Sequence, residues 1–386
     1  MPTQSPTKTA LAITSALFAT SLLSGCLEHP VKDVSYESAA EGNLVVDVTP
    51  KREVDILFVI DNSYSMGDEQ ARLSANFQNF IERLEADKTQ ANYRIAITTT
   101  DTGNPRCGGD TDGSEYGAFV LSSCVDRLEN FEASDGTIAV EACEDYCSAA
   151  FSGVQPLTTA LYQDGDEASR PWIESLGGVS NLPEQMSTTQ AFQCYGPQGV
   201  SGCGYESPLE ATKRALSRTQ DRNDPSYGFL RDGAILAVVV VTDEADCSTA
   251  PGSDSIFLPS GDRAFWEDPE SFSPTSAVCW NAGVTCDDTG CQSANYTAEG
   301  DLTSEPGKAV MEPVDTYVDF LRTIKGNDDP VMVSVIAGVP EGYPAQAIPY
   351  GDSDDPEFEF HKDYVRISIL DNADNQYAGA NVFLHE

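Results

Sequence analysis

The sequence predicts an α/β fold built on a doubly wound, mostly parallel sheet, and three observations carry that expectation. Four apolar runs of strand length recur along the chain, two stretches between them have helical periodicity, and three of the runs end in an aspartate. The runs are VDILFVID at Val54 to Asp61, YRIAITTTD at Tyr93 to Asp101, AILAVVVVTD at Ala234 to Asp243, and VMVSVIAG at Val331 to Gly338. Continuous apolarity suits a parallel strand covered on both faces, because neither face alternates with solvent. Leu73, Phe77, Phe80, Ile81 and Leu84 share one helical face, and so do Val314, Tyr317, Leu321 and Ile324. Strands alternating with helices imply βαβ units, whose sites form at the carboxyl ends of the strands.

A chain of 386 residues with 40% hydrophobic content has room for two average domains or for one domain enlarged by insertions. Two segments, roughly 102–200 and 247–306, interrupt the α/β pattern and are rich in Gly, Asp, Ser and Cys. Loops this long are functional or stapled. They read as disulfide-braced insertions on the rim of one domain spanning 51–386, and no internal repeat is visible.

The first residues combine Lys8, an apolar stretch too short to span a membrane, and small residues before Cys26. This is an export signal over 1–25. Leu23-Ser24-Gly25-Cys26 resembles the bacterial lipobox, which implies that Cys26 carries the lipid and that a polar tether, 26–50, with a short strand at Leu44 to Val48, follows it. Leu27 resembles the outer-membrane sorting pattern of Gram-negative lipoproteins. Setting Cys26 aside from the eleven cysteines leaves ten in an oxidising compartment: Cys107, Cys124, Cys143, Cys147, Cys194, Cys203, Cys247, Cys279, Cys286 and Cys291. The first pairs to expect are close neighbours, Cys143 with Cys147, Cys194 with Cys203, and Cys286 with Cys291. Zinc is disfavoured, since no second C-x-x-C pair or histidine partner follows any of them.

A net charge of −40 excludes nucleic acid and an anionic membrane surface as partners, leaving the lipid anchor as the membrane contact. The acidity keeps the protein soluble and supplies carboxylates for Ca²⁺. The loops Gly108 to Glu115 and Asp164 to Glu167 are acidic, but neither has EF-hand spacing, and both read as solvated.

The first strong run ends in Asp61-Asn-Ser63-Tyr-Ser65, a D-x-S-x-S where a buried strand turns toward a helix. Alternate residues converge at such a turn, and an acid with two hydroxyls offers hard oxygens that suit Mg²⁺, Mn²⁺ or Ca²⁺. Asp243 reaches the same edge if its strand runs parallel beside the first. A third contribution comes from GCGYESPLEATKRAL, where a Gly-rich turn delivers Glu206 and Ser207 to a helix start. Ser207-Pro208-Leu209-Glu210 reads equally as a capping box with proline at the first helical position.

These three motifs, in this order and at this wide spacing, resemble the metal-ion-dependent adhesion site of von Willebrand factor A domains over roughly Val54 to Gly338. The resemblance implies a Rossmann-like fold and a divalent cation at Asp61, Ser63, Ser65 and Asp243, left short of negative charge so that a partner's acidic group completes its shell. The family usually has threonine in the second motif, and aligning Ser-Pro-Leu with it favours Ser207. Glu206 is the alternative, and its charge would favour Ca²⁺ and disfavour an acidic partner. Texture and anchor are similar to those of cysteine-rich bacterial lipoproteins that carry such a domain. The implied partner is a protein or a glycan; a calcium-stabilised structural envelope protein is the second reading.

Enzyme readings are poorly supplied. NSYSMG is not a G-x-S-x-G elbow, because Asp61 holds the first glycine position, and the only histidines are His29, His361 and His385. An aspartyl nucleophile at Asp61 lacks a second aspartate two residues on, where Ser63 stands. The chain is not read as an enzyme. Its end, DNADNQYAGANVFLHE, lacks the closing amphipathic helix usual in the family, and a strand is expected at Val365 to Ile369 instead.

Overall fold

The computed structural model describes residues 53–336, apart from 87–88, 108–113, 133–135, 137, 161–166, 288–289 and 327–328, and four short strands between 364 and 383. The expected export signal, Cys26, the tether, the three histidines, and residues 108–113 and 164–166 of the acidic loops lie outside the described residues. The chain divides at Thr49, and the described residues all belong to the second unit, Pro50–Glu386.

Six strands form the main sheet: β1 Glu53–Ile60, β2 Asn92–Thr99, β3 Ile173–Leu176, β4 Val179–Ser180, β5 Ile235–Val241 and β6 Val331–Ile336. Their order is β6-β5-β1-β2-β3-β4, with β6, β5, β1 and β2 parallel and the last two antiparallel. All four apolar runs therefore became the parallel strands. Register aligns their carboxyl ends: Ile60 stands opposite Thr99 on one side and Val241 on the other.

Alternation along β1 sorts its side chains between two layers. Ile56, Phe58 and Ile60 face a layer containing α1 (Gly67–Glu85) and α2 (Thr188–Tyr195), and Leu57 and Val59 face one containing α3 (Pro208–Arg218) and α4 (Val314–Ile324). Helices cover both faces. The expected helical stripes supply the packing: Phe77 and Ile81 are buried with Leu73, Phe80 and Leu84 against them, while Tyr317 and Leu321 are buried beside Ile324. Phe192 of α2 meets Phe58 edge-on at 4.8 Å and stacks on Phe77. Truncating such a phenylalanine costs about 3–5 kcal/mol.

The first long segment is more than a rim insertion. It supplies β3 and β4 to the sheet edge and α2 to one face. The strands were too short for periodicity to expose, but α2 opens with a complete capping box, Ser187 with Gln190, which is a sequence-level signal. The expected strand at Val365 to Ile369 is two strands, Tyr364–Val365 and Ile369–Asp371, paired with Val382–Phe383 and Gln376–Ala378.

The bridges join Cys107 to Cys203, Cys124 to Cys143, Cys147 to Cys194, and Cys247 to Cys279. The expected pairs Cys143–Cys147 and Cys194–Cys203 are thus wrong. Cys147 donates its backbone N–H to the Cys143 carbonyl, so the two lie one helical turn apart and project side by side rather than at each other. Cys194 is fixed in α2, whereas Cys203 is carried to the strand ends, where its N–H reaches the Asp101 carboxylate at 3.3 Å. Cys286, opposite Cys291 in a short hairpin, is also disulfide-bonded.

At the amino end of the sheet the buried charges of Asp55, Arg94, Glu174 and Arg231 are paired. Asp55, fully buried on β1, takes the Arg231 side chain at 2.7 Å and the Arg231 N–H at 2.7 Å. Arg231 also donates to the carbonyls of Val54 and Asn92, lacing two strands together. Arg94 pairs with Glu174 at 2.6 Å, tying β2 to β3, and donates to the carbonyls of Gly228 and Phe229. Among the described residues no helix is long and apolar enough to cross a membrane.

Both the ion pair and the bridges can be tested through stability. Asp55→Ala strands a buried guanidinium and should lower the unfolding free energy by about 3–5 kcal/mol in urea denaturation, with a smaller loss for a paired apolar replacement of Asp55 and Arg231. Replacing Cys147 and Cys194 by alanine opens a loop of separation 47 and should cost about 4 kcal/mol in the same assay.

Candidate functional site

Parallel pairing of β1 with β5 brings Asp61 and Thr242 together just beyond the last ladder residues. The Asp61 N–H still bonds the Val241 carbonyl at 2.9 Å, and the Thr242 hydroxyl donates to the Asp61 carboxylate. The other Asp61 oxygen accepts the Ser63 N–H at 2.8 Å, a local turn that aspartate forms readily. This turn sets Ser63 and Ser65 on one side, their hydroxyls 3.5 Å apart, and leaves Tyr64 between them 53% exposed. Asp243 follows Thr242, with the Ser65 hydroxyl beside its carboxylate. Asp61, Ser63, Ser65 and Asp243 are therefore neighbours at one sheet edge.

The second motif reaches the same place. The Ser207 N–H bonds the Thr100 carbonyl at 3.1 Å, and the Thr100 hydroxyl donates to the Glu206 carboxylate. Glu206 is 0% exposed and Ser207 6%. The expected capping box does not form. Pro208 does open α3, but the Ser207 side chain makes no cap bond, and Glu210 pairs with Arg214 at 2.8 Å. Asp246 and Ser248 cap the helix instead, accepting the N–H groups of Leu209 and Glu210 at 3.1 and 3.0 Å. They are better placed because the chain after β5 runs across the start of α3, and this releases the Ser207 hydroxyl from capping.

Several residues that shape the site were not singled out from sequence. Gln70 of α1 is buried; its amide donates to the carbonyls of Asp61 and Gly199 at 2.9 and 2.7 Å and accepts the N–H of Gln198 at 2.7 Å. Gly199 has φ +102°, and a Cβ there would lie 2.4 Å from the Asn130 carbonyl oxygen. Gly202 donates to the Asn62 carbonyl at 2.8 Å, and its own Cβ would collide with that asparagine. Asp101, at the end of the second apolar run, accepts from Gly103 at 2.8 Å and from Cys203. A strand-end aspartate was the available signal for it.

The electrostatics differ from those of the amino end. Burial pushes the Asp61 carboxyl up to about 6 against the hydrogen bonds of Thr242 and Ser63. Burial, then the charge of Asp61, pushes Asp243 up to about 7. Glu206 is held well above the ordinary carboxylate range by burial and by Asp61 and Asp101. Among the described residues, the buried oxygens Asn62 Oδ1, Glu206 Oε1 and Asp243 Oδ1 accept no hydrogen bond. Such atoms are costly unless something fills them.

Hard carboxylate and hydroxyl oxygens with unfilled acceptor capacity fit a hard divalent cation. Among the described residues no three His, Cys, Asp or Glu side chains are arranged to hold an ion by themselves. An ion held here would need hydroxyl oxygens as well, and those of Ser63 and Ser65 lie beside the Asp61 and Asp243 carboxylates.

Because Asp61 and Asp243 titrate above their ordinary values, the metal-free native chain keeps protons that the unfolded chain has released between about pH 4 and pH 7. Its stability should fall as pH rises through that window, read as a lower melting temperature in EDTA at pH 7 than at pH 5. Asp243→Asn should shrink the difference. No family model matches this chain, and no curated protein matches it.

Proposed function

We propose that this chain is a divalent-metal-dependent binding protein of the bacterial envelope, exported, lipid-anchored through Cys26, and built on a von Willebrand factor A-type domain. The observation that carries the reading is the meeting of Asp61, Ser63, Ser65 and Asp243 at the ends of adjacent parallel strands, beside buried acceptor oxygens with no protein donor. Mg²⁺, Ca²⁺ or Mn²⁺ would be held by Asp61, Ser63, Ser65 and Asp243, with Ser207 or Glu206 from the second motif. The ion would supply a Lewis-acidic point at which a protein or glycan partner places an oxygen. The chain's own residues bury the site, fix its hydroxyls and set its charge, and the reading is a binding protein rather than an enzyme.

Glu206 supports the alternative of a purely structural calcium ion, because a buried extra carboxylate strengthens ion retention. Titration calorimetry with Mg²⁺ and Ca²⁺ on wild type and Asp61→Ala tests the site. Wild type should bind, and the variant should lose at least about tenfold in affinity, the equivalent of roughly 1.4 kcal/mol. Equal binding by both would overturn the site. A pull-down from envelope extract with and without EDTA separates binding from structure, since metal-independent partners or none would favour the structural ion.

A further inference from the structure

We propose that the C-terminal strands of this chain, between Tyr364 and Phe383, form a hairpin that beds on the open face of β6 and closes the sheet there. The inference concerns the edge of the sheet and stands apart from the cation site.

β6 is the last strand of the main sheet, and its side chains fall into two sets. Val331, Val333 and Val335 pack into the layer of α3 and α4. Met332, Ser334 and Ile336 belong to the opposite face, which α1 and α2 cover elsewhere, and none of the three joins that layer. All are exposed, Met332 and Ile336 at 49% each. Register puts Met332 beside Ala237 of β5 and Ser334 beside Val239, both only partly buried, so the apolar surface continues across two strands. An apolar face left open at an edge strand invites unwanted pairing, and folded chains cover such edges.

The chain itself carries a cover. Residues 337–386 follow β6 directly, and within them Tyr364–Val365 pairs with Val382–Phe383, and Ile369–Asp371 with Gln376–Ala378. The two ladders share one register, so they fit a single hairpin in which Asp371 stands opposite Gln376 across a short turn. The two-residue period of a strand then sets Val365, Ile369, Ala378 and Val382 on one face, and that face is apolar. A two-stranded hairpin alone is marginal in water and needs an apolar surface to rest on.

Nearness selects the surface. Ile369–Asp371 comes within 8 Å of β6, measured between Cα atoms, without joining its ladder. Residues 337–363 tether the hairpin to β6, which keeps its local concentration high. A second copy of the chain is the other candidate for this face, and the net charge of −40 on each copy opposes it.

The test uses the full chain, with Met332 as reporter, because Met66, Met186 and Met311 are buried. Limiting hydrogen peroxide should oxidise Met332 about tenfold more slowly in the wild type than in a synthetic peptide of β6, read by mass spectrometry. Val365→Asp combined with Ile369→Asp puts charge on the apolar face of the hairpin and should raise the rate toward that of the peptide, while Met66 and Met311 stay unreactive. Photo-methionine incorporated into the wild-type chain should link position 332 to residues 364–383 of the same molecule. Oxidation of wild-type Met332 at the peptide's rate would show an open face and overturn the proposal, and so would equal protection in the double variant. Links from position 332 to a second molecule, no link to residues 364–383, or protection that grows with protein concentration would overturn it as well. The wild-type linking arm decides the matter even if the double variant unfolds, which oxidation of Met66 would reveal.

Discussion

The hydrogen-bonded ladders on both edges of β1 hold the sheet together and aim its chemistry. Because β2 and β5 both run parallel to β1 and in step with it, the chain leaves all three strands at one level, and Asp61, Asp101 and Asp243 arrive at the same edge. The two ends of the sheet then solve the same problem in opposite ways. At the amino end, Asp55 and Glu174 are matched by Arg231 and Arg94 with near-ideal geometry. At the carboxyl end, Asp61 and Glu206 are buried and Asp243 is half-buried among hydroxyls, and the charge of Asp61 acts against both of the others. An apolar core that tolerates the second arrangement does so at a cost in stability, and unmatched acids of this kind concentrate where a protein binds something.

The long cysteine-rich segments take their place in this scheme as clamps. Cys203 and Cys247 lie close to either side of the Glu206–Ser207 turn; the Cys247 N–H bonds the Glu206 carbonyl and the Cys203 N–H the Asp101 carboxylate. Gln70 fastens the segment at Gln198 and Gly199 to the Asp61 turn. The turn is therefore positioned by contacts distant in sequence, while β1 and β5 position the first and third motifs directly.

That difference explains what the sequence could reveal. Long apolar runs have one economical fold, so the parallel strands, the helical faces of α1 and α4, and the meeting of Asp61 with Asp243 were all legible. Strands as short as β3 and β4 carry too few residues for a period. Cysteine pairing depends on which way each side chain points in three dimensions, and Cys143 and Cys147 show why closeness along a helix is a poor guide. The capping of α3 escapes the sequence for a similar reason: Ser207 and Glu210 have the right letters, but Asp246 and Ser248 arrive in the loop after β5 and take the N–H groups.

The bridge from Cys107 to Cys203 encloses both the Cys124–Cys143 and Cys147–Cys194 bridges. A protease that cuts the backbone once anywhere between residues 107 and 203 therefore leaves the two halves joined covalently, with the join lying close to the Glu206 turn. A single nick in this segment releases nothing, and a nicked chain would still hold Asp61 and the Glu206 turn in one covalent molecule.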